Sequence, residues 1–175
     1  MKAKITLSIA LFFVAIATAY AEPRVGDVAP EFSLPGTDGK THKLSELRDK
    51  QVVVVAWFPK AKTKGCTAEC KSLKADGAKL RNFDVAYFTA SVDTPELNKE
   101  FATELDLDYP ILSDTDKSVA KAYGVLRPDG SVAQRWTYII GKDGKILAID
   151  KEVKTADHAT DIAKKLEDLK VAKKK

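Results

Sequence analysis

Cysteine and histidine are scarce in this chain, with two of each among 175 residues. Two cysteines allow one disulfide at most. Cys66 and Cys70 also lie so close in sequence that a bridge between them would remove little unfolded-state entropy. A structural disulfide, the usual interpretation of two cysteines in an exported protein, is therefore disfavoured. The two thiols are therefore interpreted by their chemical reactivity and not as a structural bridge.

A strong net charge is missing as well. The formal net charge is +4, and it falls to +2 when residues 1–21 are removed, because that segment holds two lysines and no acid. A charge this small does not indicate a nucleic-acid partner. The basic tail at residues 173–175 is interpreted as a solvated helix end.

The chain has an apolar run near its start, but it is shorter than the roughly 20 residues that cross a bilayer. This run, residues 5–17, is about thirteen residues long and follows a positively charged start, as in a signal peptide. Ala19 and Ala21 match the small-x-small cleavage rule. We therefore predict a signal peptide at 1–21, and a single exported domain at 22–175, in a bacterial periplasm. No cysteine lies near the cleavage point, so no stable membrane anchor is expected after cleavage.

Strand-like and helix-like stretches alternate after residue 50, which predicts an α/β fold. The continuous β-branched run at 52–58 is typical of a strand buried on both faces, and 85–92 is a second apolar strand. The helical pattern at 66–83 joins them as a βαβ unit with parallel strands. Its predicted inward positions are Leu73, Ala78 and Leu80.

Turn signals complete the predicted architecture. Glycine-containing turns at 36–39 and 141–144 predict two hairpins, of which the second makes the sheet mixed. Thr94 and Pro95 predict a helix start, with Thr94 as N-cap, and 156–171 is an amphipathic helix. We predict one three-layer domain, a mixed central sheet with helices on both faces.

Cys66 stands where a strand passes into a helix through a short turn. The turn begins at Pro59 and contains Thr63. Unpaired backbone N–H groups and the helix dipole at that end favour an anion, and hence the thiolate, which is the nucleophilic form of cysteine. The pattern predicts a reactive cysteine, with the Thr63 hydroxyl within reach of the sulfur or of what the sulfur attacks.

The motif Pro59-x-x-x-Thr63-x-x-Cys66 resembles the active-site signature of the peroxiredoxins, thiol peroxidases with a thioredoxin-like fold. Extended through Glu69, it is similar to the bacterioferritin-comigratory, or Q-type, branch. Further stretches with the same resemblance lie at 25–32, 91–93, 135–140 and 157–159. The resemblance spans almost the whole mature chain. It implies reduction of hydrogen peroxide and organic hydroperoxides in antioxidant defence.

The resemblance also implies a role for each matching residue. Cys66 would be the peroxidatic nucleophile, which becomes a sulfenic acid. Arg135 would hold the thiolate and polarise the peroxide, and Glu69 would orient Arg135. Thr63 would hydrogen-bond the peroxide, and Pro59 would shield the sulfur from water. The implied partners are a hydroperoxide and a thioredoxin-like or small-thiol reductant, with no cofactor or metal and a monomeric state.

Each of these residues has a plain structural interpretation too. Thr63 could cap the helix, Glu69 could be a first-turn acid favoured by the dipole, and Arg135 could be a surface residue. The tryptophans and histidines receive no catalytic role. Trp57 and Trp136 are expected in the core, His42 in a hairpin and His158 in the first turn of the last helix.

The second cysteine departs from the Q-type pattern, in which the resolving thiol stands five residues after the peroxidatic one. Here Cys70 is four residues after Cys66, and the fifth position is Lys71. Residues four apart in a helix have Cβ atoms about 5–6 Å apart. A disulfide needs roughly 3.5–4.5 Å. We hypothesise that Cys70 resolves Cys66 after the first helical turn unwinds; the alternative is an external thiol.

A Cys-x-x-x-Cys pair in an exported thioredoxin-like chain also resembles the Sco-type copper chaperones. Two thiolates suit Cu(I). However, the distant histidine that those chaperones use is missing before the late strand, where Gln134 and Arg135 stand. Copper binding by Cys66 and Cys70 is the alternative function. A disulfide-exchange oxidoreductase normally has Cys-x-x-Cys, which disfavours that third class.

Overall fold

The computed structural model describes residues 22–174, so the predicted signal peptide lies outside the described residues. Within them the elements follow in the order β1 (Ser33–Pro35), β2 (Thr41–Lys43), β3 (Val52–Trp57), α1 (Lys64–Ala75), α2 (Gly77–Arg81), β4 (Val85–Ser91), α3 (Pro95–Glu104), β5 (Ile111–Ser113), α4 (Ser118–Ala122), β6 (Thr137–Ile140), β7 (Ile146–Asp150) and α5 (His158–Asp168). The main sheet has the strand order β5-β4-β3-β6-β7, and β1 pairs with β2 separately. Strands β3, β4 and β5 are parallel, whereas β6 runs antiparallel to β3 and β7.

Strand β3 is the centre of the sheet, and all six of its residues are buried. Successive side chains of a strand point to opposite faces. Accordingly Val53, Val55 and Trp57 enter one apolar cluster. Val52, Val54 and Ala56 enter the other. The predicted strand buried on both faces is confirmed, as is its parallel pairing with β4.

Helices cover both faces of the sheet. Leu73 of α1, Leu80 of α2 and Leu166 of α5 lie in the cluster on one face. Tyr123, which follows α4, lies in the cluster on the other face together with residues of the N-terminal segment. Phe101 of α3 belongs to a third, smaller cluster around the cysteines. The predicted three-layer architecture is confirmed.

The predicted turns and the cap of α3 are also present. Strands β1 and β2 form an antiparallel pair, and β6 and β7 form another. Gly39 and Gly144 have positive φ angles of 80° and 78°, a backbone region that favours glycine. Thr94 caps α3, because its hydroxyl accepts a hydrogen bond from the Leu97 amide at 3.3 Å, and Pro95 is the first helical residue.

The helix predicted at 66–83 is wrong in its continuity, because the chain forms two helices that meet at Asp76. Gly77 is buried at the start of α2, and Ala78, predicted to face inward, is exposed. A Cβ atom at Gly77 would lie 2.9 Å from Arg81 Nη1 and 3.0 Å from the Tyr87 hydroxyl. Because α2 is a separate helix, Gly77 occupies the buried position that a single continuous helix would have given to Ala78.

The last helix is shorter than predicted, running over His158–Asp168 rather than 156–171. Its apolar stripe still includes the buried Ile162 and Leu166. Among residues 22–174 no helix combines the length and the apolar character that spanning a bilayer needs.

Candidate active site

The loop between β3 and α1 is attached to its surroundings at two points. The Ala61 amide donates a hydrogen bond to Asp93 Oδ2 at 2.8 Å. Lys62 Nζ lies 2.7 Å from a carboxylate oxygen of both Glu100 and Glu104 on α3. Lys62 also has a φ angle of 63°, a left-handed conformation. The loop is thus held against α3, and α1 starts immediately after it.

Cys66 lies in the first turn of α1, as predicted, and its side chain is fully buried. It belongs to the small apolar cluster that also contains Phe58, Ala61 and Phe101. The thiol is free, and the sulfur accepts a hydrogen bond from Arg135 Nη2 at 3.3 Å. The sulfur therefore has a positively charged hydrogen-bond donor beside it in otherwise apolar surroundings.

Arg135 reaches this sulfur because β6 is the antiparallel neighbour of β3. Thr137 is paired with Ala56, and the Trp57 amide donates to the Trp136 carbonyl at 2.8 Å. The start of β6 therefore lies beside the end of β3, from which the active-site loop departs. Arg135 precedes that start and extends over Gly65, where a Cβ atom would be 3.2 Å from its Nη2.

The guanidinium of Arg135 has a second partner, the fully buried Glu69. Arg135 Nη1 donates to Glu69 Oε2, so one guanidinium contacts both the sulfur and a carboxylate. Desolvation lowers the pKa of Arg135, but the charge of Glu69 and the contact with Cys66 outweigh it, and the pKa is raised above its usual value. The cation beside the sulfur is therefore permanent at any physiological pH.

His158 also lies at this site, within the stretch 157–159 that resembles the Q-type branch. The ring is fully buried, with Nδ1 3.1 Å from Glu69 Oε1 and Nε2 2.8 Å from the Thr137 hydroxyl. Sequence reasoning placed His158 correctly in the first helical turn but assigned it no part in the site. Only the packing of α5 against α1 brings it to Glu69.

Cys70 lies one turn after Cys66 and is also fully buried as a free thiol. Burial, and then the negative charge of Glu69, raise the pKa of Cys70 to about 12. The hydroxyl of Tyr109 donates to the Cys70 carbonyl at 3.0 Å and so attaches this turn to the chain near β5. In the intact helix Cys70 is therefore a protonated, weakly nucleophilic thiol.

Thr63 occupies the N-cap position of α1, but its side chain makes no capping hydrogen bond. The hydroxyl donates instead to the Lys60 carbonyl at 3.0 Å, within the active-site loop. Pro59, at the start of the loop, is half-buried. The plain capping interpretation of Thr63 is therefore wrong, and both residues belong to the loop that leads to Cys66.

The other aromatic residues are placed largely as expected. Trp57 is fully buried in the core. Trp136 is half-buried, with Lys151 Nζ 4.1 Å from its ring centroid. His42 contacts Asp38 and is separate from the residues around Cys66.

A thioredoxin-like mixed sheet carries, at the start of its first long helix, a buried cysteine paired with an arginine that a buried carboxylate holds. These features define a thiol-dependent peroxidase. Residues 25–149 match the AhpC/TSA family, and the chain belongs to that family.

The relatives within the family are peroxiredoxins. Peroxiredoxin Bcp of Escherichia coli (strain K12) is 33% identical over 141 residues, which are 77% of this chain and 90% of that one. Peroxiredoxin Bcp of Bacillus subtilis (strain 168) is 27% identical over 151 residues, 83% and 96% of the two chains. The crystal structure of peroxidoxin BcpB of Mycobacterium tuberculosis has a TM-score of 0.73 and 30% identity over 81% of this chain and 94% of that one. The chain is thus a peroxiredoxin of thioredoxin-like fold, and these relatives lend no support to the copper-chaperone alternative.

Proposed function

We propose that Cys66 is the peroxidatic cysteine of this peroxiredoxin and that Arg135 is the cation that stabilises it. The observation that carries the proposal is the 3.3 Å contact from Arg135 Nη2 to the Cys66 sulfur inside a buried cluster. Because the second arm of the same guanidinium is bound to Glu69, the cation is fixed in place before a peroxide arrives. Fixed donors of this kind are effective because they need no reorganisation during the reaction.

The first chemical step oxidises the sulfur and reduces the peroxide. The Cys66 thiolate attacks one oxygen of the hydroperoxide, and a sulfur–oxygen bond forms as the oxygen–oxygen bond breaks. The electron pair leaves with the second oxygen, which takes a proton from water and departs as an alcohol or as water. Arg135 can donate to sulfur and oxygen together, and the Thr63 hydroxyl would turn from the Lys60 carbonyl to the peroxide.

The second step removes the sulfenic acid from Cys66. Cys70 attacks the oxidised sulfur, water leaves, and a disulfide joins the two residues. Since the pKa of Cys70 is about 12 in the buried helix, the first turns of α1 would unwind and expose the thiol before it reacts. A thioredoxin-like dithiol then reduces the disulfide and is itself oxidised, while a small thiol serves the same purpose less selectively.

A peroxide-consumption assay on residues 22–175 tests the peroxidatic roles. Cys66→Ser should abolish turnover, and Arg135→Ala should lower kcat/KM by about 100-fold, the order expected for one lost charge-stabilising donor. Arg127→Ala is the matched control, because Arg127 is an exposed arginine outside the site. Turnover that survives Cys66→Ser would refute the proposal.

The role of Cys70 needs a separate experiment. Cys70→Ser should lose turnover with a thioredoxin donor and keep it with dithiothreitol. Mass spectrometry after one equivalent of peroxide should find a Cys66–Cys70 disulfide in the wild type. A stable sulfenic acid on Cys66 beside a free Cys70 would instead assign resolution to an external thiol.

We also propose that the protein acts as a monomer after export to a periplasm. Support for export comes from the signal-peptide pattern at 1–21, with Ala19 and Ala21 before the cleavage point, and the monomeric state rests on the resemblance to the Q-type branch. Cell fractionation of the full chain should recover a product with the mass of 22–175 outside the cytoplasm, and Ala21→Asp should block the cleavage. A full-length protein in the cytoplasm would contradict export, and light scattering tests the monomer.

A further inference from the structure

A buried chain of polar side chains continues behind the arginine that contacts the sulfur. It runs from Cys66 to Arg135, from Arg135 to Glu69, from Glu69 to His158 and from His158 to Thr137. The residues come from α1, the segment before β6, β6 itself and α5. The chain therefore joins the reactive sulfur to the first turn of the last helix.

The position of the His158 ring specifies where its proton lies. Glu69 Oε1 and His158 Nδ1 are 3.1 Å apart, and apart from this ion-pair contact neither atom has an aligned hydrogen-bond partner among residues 22–174. A lone pair on Nδ1 would repel the carboxylate oxygen at this distance, so Nδ1 carries a proton. Nε2 faces the Thr137 hydroxyl, which can donate or accept, so this side of the ring accommodates both the neutral and the protonated imidazole.

A thiolate at Cys66 and an imidazolium at His158 would together leave the buried cluster without net charge. The thiolate and Glu69 carry two negative charges, and Arg135 carries one positive charge. A protonated His158 makes the sum zero, and an unbalanced buried charge is costly. Conversely, a neutral Cys66 leaves a protonated His158 without its balancing charge. The two residues are thus coupled although they do not touch.

The other groups around the ring do not supply this charge. From α1 the charged group that faces His158 is Glu69, and β6 presents the uncharged hydroxyl of Thr137. On α2, Lys79 is directed to Asp76 and to Thr160. The acids nearest the ring at the start of α5, the N-cap residue Asp157 and Asp161, are respectively exposed and half-exposed.

We propose that His158 is a positioning residue of the peroxidase site, which orients the Glu69 carboxylate toward Arg135 and, when protonated, stabilises the Cys66 thiolate. The inference rests on the proposed function in so far as the thiolate is the reacting species. A purely structural histidine would contribute to stability but leave the ionisation of Cys66 unchanged.

The first test measures thiolate formation without turnover. In a Cys70→Ser background, the rate of Cys66 alkylation by iodoacetamide is followed across a pH series in His158→Asn, which keeps a donor near Nδ1 but cannot be charged. We expect the midpoint of thiolate formation to rise by about one pH unit, a tenfold change in the ionisation constant. His42→Asn, in the hairpin, is the matched control and should not move it. A His158→Asn midpoint equal to that of the wild type would overturn the proposal.

The second test uses the reciprocal effect and needs no change at His158. Coupling between two sites is symmetric, so Cys66→Ser should lower the midpoint at which His158 titrates, by the same factor. Because the chain has two histidines, an untagged His42→Asn background leaves one imidazole to follow by nuclear magnetic resonance. Equal His158 midpoints with and without Cys66 would refute the coupling even if His158→Asn fails to fold.

These readouts separate the inference from the function on which it rests. Coupled midpoints in a protein that consumes no peroxide would refute the peroxidatic role of Cys66 and keep the positioning role of His158. Peroxide consumption with uncoupled midpoints would keep the peroxidatic role of Cys66 and refute the positioning role of His158.

Discussion

Gly65 is the residue that lets Arg135 approach the first turn of α1. A Cβ atom at this position would lie 3.2 Å from Arg135 Nη2, closer than an ordinary contact. The same guanidinium nitrogen donates to the Cys66 sulfur, so its placement has little freedom. Glycine here is therefore required by the neighbouring side chain rather than by the backbone, which is helical.

Gly65→Ala should separate stability from activity. Alanine is the better helix former by about 1 kcal/mol, so the free energy of unfolding should be unchanged or higher. The guanidinium would be displaced by a few tenths of an ångström, and we expect kcat/KM for hydrogen peroxide to fall about tenfold. Lys64→Ala, at the exposed neighbouring position, should leave kcat/KM as it is. A fully active Gly65→Ala would show that the approach over residue 65 is not needed.

At the level of single residues, the sequence predicted the nucleophile and its partners but not the whole cluster. Cys66, Arg135 and Glu69 were predicted from a motif, and the structure brings them together. His158 could not be found in this way, because its contact with Glu69 depends on the packing of one helix against another. The direction of the Thr63 hydroxyl was hidden for a similar reason, since it follows from the loop conformation.

At the level of elements, α1 carries Cys66 in its first turn and a second thiol, Cys70, one turn later. Disulfide formation requires those turns to open, and helix ends open at low cost. After oxidation by peroxide, amides of α1 should exchange hydrogen faster than in the reduced protein, whereas amides of β3 should not. Oxidised Cys70→Ser is the control and should keep slow exchange in α1. Equal exchange in both oxidised proteins would exclude unwinding driven by the disulfide.

A buried carboxylate, Asp114, lies against the first turn of helix α4 and makes the free energy of unfolding of the protein depend on pH. Asp114 accepts hydrogen bonds from the amides of Val119 and Ala120 at 3.3 and 2.6 Å. Burial nevertheless raises the pKa of Asp114 to about 6. A raised pKa in the folded state gives stabilisation that is complete below the unfolded value and is lost as the pH rises through the folded value.

We therefore expect the free energy of unfolding to fall by on the order of 2 kcal/mol between about pH 4 and pH 6 through Asp114 alone. Asp114→Asn should remove this component, as measured by urea unfolding at each pH. The exposed Asp129 is the contrasting control, because the hydroxyl and amide of Ser131 lower its pKa, so Asp129→Asn should change the pH dependence of the free energy of unfolding only below about pH 4. Parallel wild-type and Asp114→Asn curves would contradict the assignment.

An element with a strong pattern in its own sequence, such as strand β3, could be predicted, whereas the break between the two successive helices α1 and α2 could not. Strand β3 could be identified because six consecutive buried positions require apolar, mostly β-branched residues. The break at Asp76 left no such signal, since residues on both sides have helical spacing. It depends on the close approach of Arg81 and Tyr87 to Gly77, which is a tertiary contact.

At the level of the whole molecule, one sheet is packed between two apolar clusters, so its faces should unfold together. Leu166 of α5 is fully buried in the cluster that includes Val54. Leu166→Ala should lower the free energy of unfolding by about 2–5 kcal/mol in a single urea transition. Leu169→Ala, at a half-buried position after α5, should cost clearly less. Two separate transitions would show that the faces are independent.

Because both cysteine side chains are buried, thiol counting with a bulky colorimetric reagent, unlike alkylation by a small one, would undercount the thiols of this protein. A bulky aromatic disulfide reagent should register almost no sulfhydryl groups in the native reduced protein and two after denaturation. That low native reading resembles oxidation, so redox state is better assigned by mass after acid quenching.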